Sequence, residues 1–66
     1  MTEMEYFITF NSEEDFIKAS EMTSLLLPDD FKKGGLEMLW NQEWYRNHAV
    51  HELSKIGIEV DTYELD

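Results

Sequence analysis

His48 and His51, three residues apart with Glu52 beside the second, are the side chains of this chain best spaced to hold a metal ion. On a helix that spacing sets both imidazoles on one side. A catalytic zinc helix reads His-Glu-x-x-His, and the order here differs. Solvated histidines near a helix C-terminus, where positive charge is favoured, account for the pair, so no metal and no other cofactor is expected. Nucleophilic chemistry has less to work with. There is no cysteine, and neither Ser24 nor Ser54 sits in a nucleophile elbow. Gly34-Gly35 lacks the spacing and the Lys-Ser or Lys-Thr pair of a phosphate loop. Fifteen Asp and Glu in 66 residues make close carboxylate pairs inevitable, whereas acid–base catalysis also needs a pocket that desolvates one of them. A domain this small rarely encloses such a pocket, so the chain reads as a binding protein and not an enzyme.

The charge balance says what it would bind. Fifteen carboxylates against five Lys and Arg leave a net charge of −10. Such a surface repels nucleic acid and anionic membranes and steers toward cationic partners. Acidity also serves plain solubility, which is the rival account. A hydrophobic share of 42% with 14% aromatics exceeds what a disordered, solvated tail carries. The length allows one domain, residues 1–66, burying roughly 60% of its unfolded surface. Lack of cysteine removes the disulfide framework of a small secreted protein. The start Met1-Thr2-Glu3-Met4-Glu5 is no signal peptide, and no stretch approaches a membrane span, so a cytoplasmic location is expected.

Four elements follow from the hydrophobic pattern. Tyr6 to Phe10, rich in aromatic and β-branched residues, predicts a strand. Asn11 or Ser12 then caps a helix, Asn11 and Glu14 having the spacing of a capping box, with Glu13, Glu14 and Asp15 favoured by the dipole in its first turn. Phe16, Ala19, Thr23, Leu26 and Leu27 carry that helix from about Ser12 to Leu27, where Pro28 closes it. Asp29 and Asp30 can cap what comes next. Past Gly34-Gly35 a longer helix is expected from Leu36 to Ile56, stopped by a left-handed Gly57, and Ile58 to Leu65 is the closing strand. The expected fold is a small two-layer α+β domain, ordered strand-helix-helix-strand, with a two-stranded sheet packed on the helices. The long helix carries a phase slip: Leu36, Leu39 and Trp40 share one face, while Ala49, Val50, Leu53 and Ile56 centre on another, displaced by about a quarter turn. Either the helix breaks near residues 45–47, or Trp44 and Tyr45 stay exposed. Both outcomes set aromatics beside Glu37, Asn41 and Glu43, as a hot spot for a cationic partner needs.

The run Leu25-Leu26-Leu27-Pro28-Asp29-Asp30-Phe31 followed by Leu36-Glu37-Met38-Leu39-Trp40-Asn41 resembles barstar, the intracellular ribonuclease inhibitor. That family has an apolar run ending in proline, an aromatic-containing loop, then a helix reading Leu-Asp-x-Leu-Trp-Asp. The segment Glu52-Leu53-Ser54-Lys55-Ile56-Gly57-Ile58-Glu59-Val60 is similar to the family's last helix, glycine turn and last strand. Together these cover about half the chain. The resemblance implies that Glu37, Trp40 and Asn41 fall where the family places its inhibitory helix and loop, an acidic helix laid into a basic active site. Here Asn41 replaces the family's decisive aspartate, Gly34-Gly35 replaces the loop's asparagine, one residue is inserted after the proline, and the middle strand and a helix are missing.

These readings converge on a small acidic inhibitor, of the phage defence-blocker or antitoxin and immunity type, that occupies a basic site on a nuclease or other nucleic-acid-binding protein. Its carboxylates would stand in for phosphates, without direct contact to nucleic acid or membrane. The expected binding face comprises Asp29, Asp30, Glu37, Trp40, Asn41, Glu43, Trp44 and Tyr45. The rival is an assembly subunit that pairs through an exposed strand edge, since a two-stranded sheet is marginal in water and a homodimer would extend it.

Overall fold

In the computed structural model, which describes residues 4–66, the first strand β1 is Glu5–Phe10. Its side chains alternate across the pleat. Ile8 and Phe10 join the core beneath the helices, while Phe7 and Thr9 point to the other side of the sheet. Helix α1, Glu13–Ser20, is capped by Ser12, whose Oγ accepts from the Asp15 amide at 3.1 Å. Asn11 does not cap it: its Nδ2 donates to the Glu59 carbonyl at 3.1 Å, tying the end of β1 to the start of the last strand. The expected single helix from Ser12 to Leu27 is two helices. The Ser20 hydroxyl donates back to the Ile17 carbonyl at 2.7 Å, the local side-chain bond that competes with a helix ladder. A turn at Glu21–Met22 then leads into a short α2, Thr23–Leu26. Leu27 ends it in the left-handed region, φ 53° and ψ 50°, before Pro28.

The segment after Pro28 departs most from expectation. Asp30–Lys32 forms strand β2, Lys33–Gly35 a 3-10 turn and Glu37–Trp40 strand β3; helix α3 runs only over Glu43–Lys55. Leu36, Leu39 and Trp40 have helical spacing, but Met38 and Trp40, two apart, are both fully buried under the helices, and Leu39 is buried on the opposite face. A short apolar run whose side chains are buried on both sides is a central strand, which periodicity alone does not separate from a helix. The phase slip therefore marks a change of element at Asn41–Gln42, not a helix break at 45–47. Gly57 does adopt the left-handed conformation, φ 82°, and β4 follows at Val60–Leu65.

The sheet is four-stranded and antiparallel, in the order β2-β3-β1-β4, and replaces the expected two-stranded one. β1 sits between β3, with Tyr6 opposite Trp40 and Ile8 opposite Met38, and β4, with Glu5 opposite Leu65 through Phe10 opposite Val60. All three helices cover one face. There Phe16, Ala19, Leu26, Ala49, Leu53 and Ile58 close over Ile8, Phe10, Met38 and Trp40. Phe10 and Phe16 meet edge to face at 5.6 Å. Trp40 is 0% exposed, and its indole N–H donates to the Leu26 carbonyl at 2.8 Å. That bond satisfies a carbonyl left over at the end of α2 and locks the helix to β3. No helix among the described residues is long and apolar enough to cross a membrane.

Truncating Trp40 removes both the ring and the bond. Trp40→Ala is expected to destabilise the domain by about 3–5 kcal/mol, a large part of the total for a domain this size. Trp44→Ala, at an exposed position, should stay within about 0.5 kcal/mol. Urea unfolding of the two variants followed by circular dichroism checks the difference.

Candidate partner-binding site

Gln42 enters α3 with extended backbone and offers no side-chain cap, so the first turn, Glu43-Trp44-Tyr45, projects from the end of the sheet where β3 finishes. Along α3 the buried residues are Arg46, Ala49 and Leu53. At about 100° per residue, Trp44 lies roughly opposite that stripe, and Tyr45 lies at its border. Trp44 is 61% exposed and stacks on Tyr45, with centroids 4.0 Å apart. Tyr45 in turn walls a shallow groove of about 360 Å3 with Leu27, Asp29, Asn41 and Gln42. Asp29 builds the groove's acidic side. Its amide donates to the Leu39 carbonyl and its Oδ2 accepts from the Asn41 amide, both at 2.8 Å, so the carboxylate is held where β3 ends.

Of the eight residues expected at the site, Asp29, Asn41, Trp44 and Tyr45 thus come together. Glu43 lies beside them on the first turn of α3, its carboxylate 4.0 Å from the Arg46 guanidinium. Asp30 is exposed on β2 and accepts from the Phe31 amide at 2.8 Å. Trp40 is sealed in the core. Glu37 and Asn41 are not helix neighbours, because four residues of strand separate them by about 13 Å. Glu37 instead lies on the sheet face away from the helices, where its carboxylate accepts from Thr9 Oγ1 at 3.2 Å and from the Tyr63 hydroxyl at 2.5 Å. The segment Leu36–Asn41, read as a helix in the barstar resemblance, is a strand and its exit.

Two residues that line the groove, Leu27 and Gln42, lie outside the face expected from the sequence. The helical spacing sets Leu27 on the apolar stripe of the first helix, where burial is expected. In the structure it is 53% exposed and left-handed, strain that a bulky residue tolerates only when its surroundings impose it. Arg46 was also missed. It is buried, with Nη2 donating to Glu64 at 2.8 Å, Nε donating to Asn47 Oδ1 at 2.9 Å, and its guanidinium 5.6 Å from the centre of the Tyr6 ring. The signal was its place in the 46, 49, 53 stripe.

His48 and His51 are exposed on α3, and Glu52 is engaged by Lys55 Nζ at 3.0 Å. That hydrogen bond holds the Glu52 carboxyl below the usual range, aided by the nearby charges of Lys55 and the imidazoles. No group of three metal-ligating side chains is assembled among the described residues. A second groove, of about 590 Å3, lies between α1 and the 3-10 turn, but Glu13 and Lys33 both line it and it presents no consistent charge. No protein-family model, curated protein or solved structure matches this chain.

The Glu37–Tyr63 bond carries a pH signature. Hydrogen bonding to Glu37, with burial and the carboxylate's charge, pushes the Tyr63 hydroxyl up to about 12. Folding therefore prefers the protonated phenol. The stability this contributes is complete below the ordinary tyrosine value near 10 and is lost as pH rises through 12. Tyrosinate absorbance should show one of the three tyrosines titrating late, and Glu37→Gln should return it toward the usual range.

Proposed function

We propose that this protein is a small acidic antagonist that binds a basic site on a nuclease or another nucleic-acid-binding protein. Its contact face is the end of the molecule built by Leu27, Asp29, Asn41, Glu43, Trp44 and Tyr45. The observation that carries this reading is the exposed Trp44–Tyr45 stack beside a groove with the Asp29 carboxylate in its wall, on a chain of net charge −10. A tryptophan held out of a core this small is not explained by folding, and tryptophan and tyrosine are the side chains that most often dominate an interface. The acidity brings a cationic surface to that face at long range, and the aromatic stack then limits dissociation. Asp29 and Glu43, with Asp30 nearby, would occupy positions that phosphates hold when the partner engages nucleic acid.

The rival reading, an assembly subunit that pairs through a strand edge, draws on the unpaired outer side of β4. Two copies of charge −10 repel one another, and the four-stranded sheet no longer needs a second copy to complete it.

Association with the partner captured from the native cell should slow steeply as salt rises, because the Debye length falls from about 30 Å at 0.01 M to about 8 Å at 0.15 M. An association rate indifferent to salt would reduce the acidity to solubility. Trp44→Ala should weaken binding by about 2 kcal/mol, and a Glu13→Ala/Glu14→Ala control, at the far end of the sheet, should bind almost normally. Leu27→Gly should keep or raise stability by up to about 1 kcal/mol while weakening binding. Isothermal calorimetry and thermal unfolding of the same variants read both quantities.

A further inference from the structure

The two edges of the sheet are built differently. β2 is three residues long, Asp30–Lys32, with Pro28 just before it, a 3-10 turn just after it, and Lys32 and Lys33 at its end. Short length, proline and lysine are the usual means of blunting an edge. β4 has none of them. It is six residues long, about 20 Å, with no proline, glycine or lysine. Its register against β1 is unbroken from Glu5 opposite Leu65 to Phe10 opposite Val60, so no bulge twists it away. Among the described residues nothing pairs with its outer side, which leaves a row of backbone donors and acceptors open to another strand.

The side chains along that edge specify what could pair there. Residues opposite one another in an antiparallel ladder share a face. Asp61 is opposite Thr9 and Tyr63 opposite Phe7, so Asp61, Tyr63 and Leu65 stand in one row on the face away from the helices. Tyr63 is stacked on Phe7 at 4.6 Å with the rings nearly parallel, and Leu65 is half exposed. On the other face Glu64 is already neutralised by Arg46 at 2.8 Å. Asp61, and Glu59 just before the strand, have no ion-pair partner among the described residues, so their charge is free to meet a cation.

We propose that the outer edge of β4 accepts an extended segment of the basic partner as a fifth, antiparallel strand, with Lys or Arg opposite Asp61 and apolar side chains opposite Tyr63 and Leu65. This inference rests on the reading of the protein as a binder of a basic protein and adds the shape and pattern of what it binds. A second copy of the chain is disfavoured as occupant by the −10 charge that each would bring. Main-chain bonds along the edge supply affinity, and the alternating row supplies selectivity. The Arg46 guanidinium, which touches Glu64 of β4 and lies 4.0 Å from Glu43 of α3, puts the C-terminal half of this edge at the same end of the molecule as the Trp44 face.

The test uses the full chain, isotopically labelled, and two synthetic peptides of one composition: Val-Thr-Val-Thr-Lys-Thr-Lys, which matches the row, and Lys-Lys-Thr-Thr-Thr-Val-Val, which does not. The matched peptide should bind at least about tenfold tighter. It should also slow amide exchange at alternate residues of β4, those whose N–H points outward. Asp61→Lys should abolish that preference, while Glu13→Lys should leave it intact. Equal binding of both peptides without protection of β4 would overturn strand addition and leave the basic-partner reading standing. Binding of neither would also overturn strand addition, and the salt dependence of capture then judges the broader reading by itself.

Discussion

The bond from the Trp40 indole to the Leu26 carbonyl is the constraint on which the remaining geometry depends. It joins the end of α2 to the end of β3 inside the core, where an unmet carbonyl would cost about 1–3 kcal/mol. With those two ends pinned, the chain between them has few options. Leu27 turns left-handed, Pro28 directs the backbone outward, and Asp29 meets the exit of β3 through bonds to the Leu39 carbonyl and the Asn41 amide. β2 then has to run back along β3. The groove beside Tyr45 is therefore a consequence of core packing, not a feature of a loop left to itself.

The molecule distributes its charges unevenly. The buried Arg46 is committed to Glu64, and Lys55 to Glu52. Most of the carboxylates are left on the surface, without an ion pair among the described residues. One group of them serves structure: Glu13, Glu14 and Asp15 occupy the first turn of α1, where the helix dipole stabilises them. Another, Asp29 with Asp30 next to it in the chain, lies at the exit of β3 beside the groove, close to Glu43, which is itself 4.0 Å from the Arg46 guanidinium, and a third, Glu59 and Asp61, follows the open edge of β4. The last two sets sit beside exposed apolar or unpaired backbone groups, which is where charge adds selectivity to contact.

Much of the local structure was legible in the sequence. The first strand, the helix start near Ser12 with its acidic first turn, the stop at Pro28, the left-handed Gly57 and the closing strand are all present, because each rests on short-range chemistry of capping, dihedral restriction or alternation. The stretch from Asp30 to Trp40 was not legible. Its apolar residues at 36, 39 and 40 satisfy helical spacing, and their strand role appears only once β1 lies on one side and β2 on the other. The same ambiguity misplaced Glu37 beside Asn41, since four residues are one helical turn but most of a strand.

The sequence by itself determined the acidity, the lack of cysteine, the α+β class and the tension over where two tryptophans could go. Tertiary structure alone decided that Trp40 is core and Trp44 surface, that Glu37 faces Tyr63 across the sheet, and that Leu27, Asp29, Asn41 and Tyr45 share a groove. The physical reason is range. Capping, turn and dipole preferences act within a few residues of chain, whereas burial is settled by which distant strands and helices close over a side chain, and residues 27 to 45 are brought together only by contacts across the sheet and between α2 and α3.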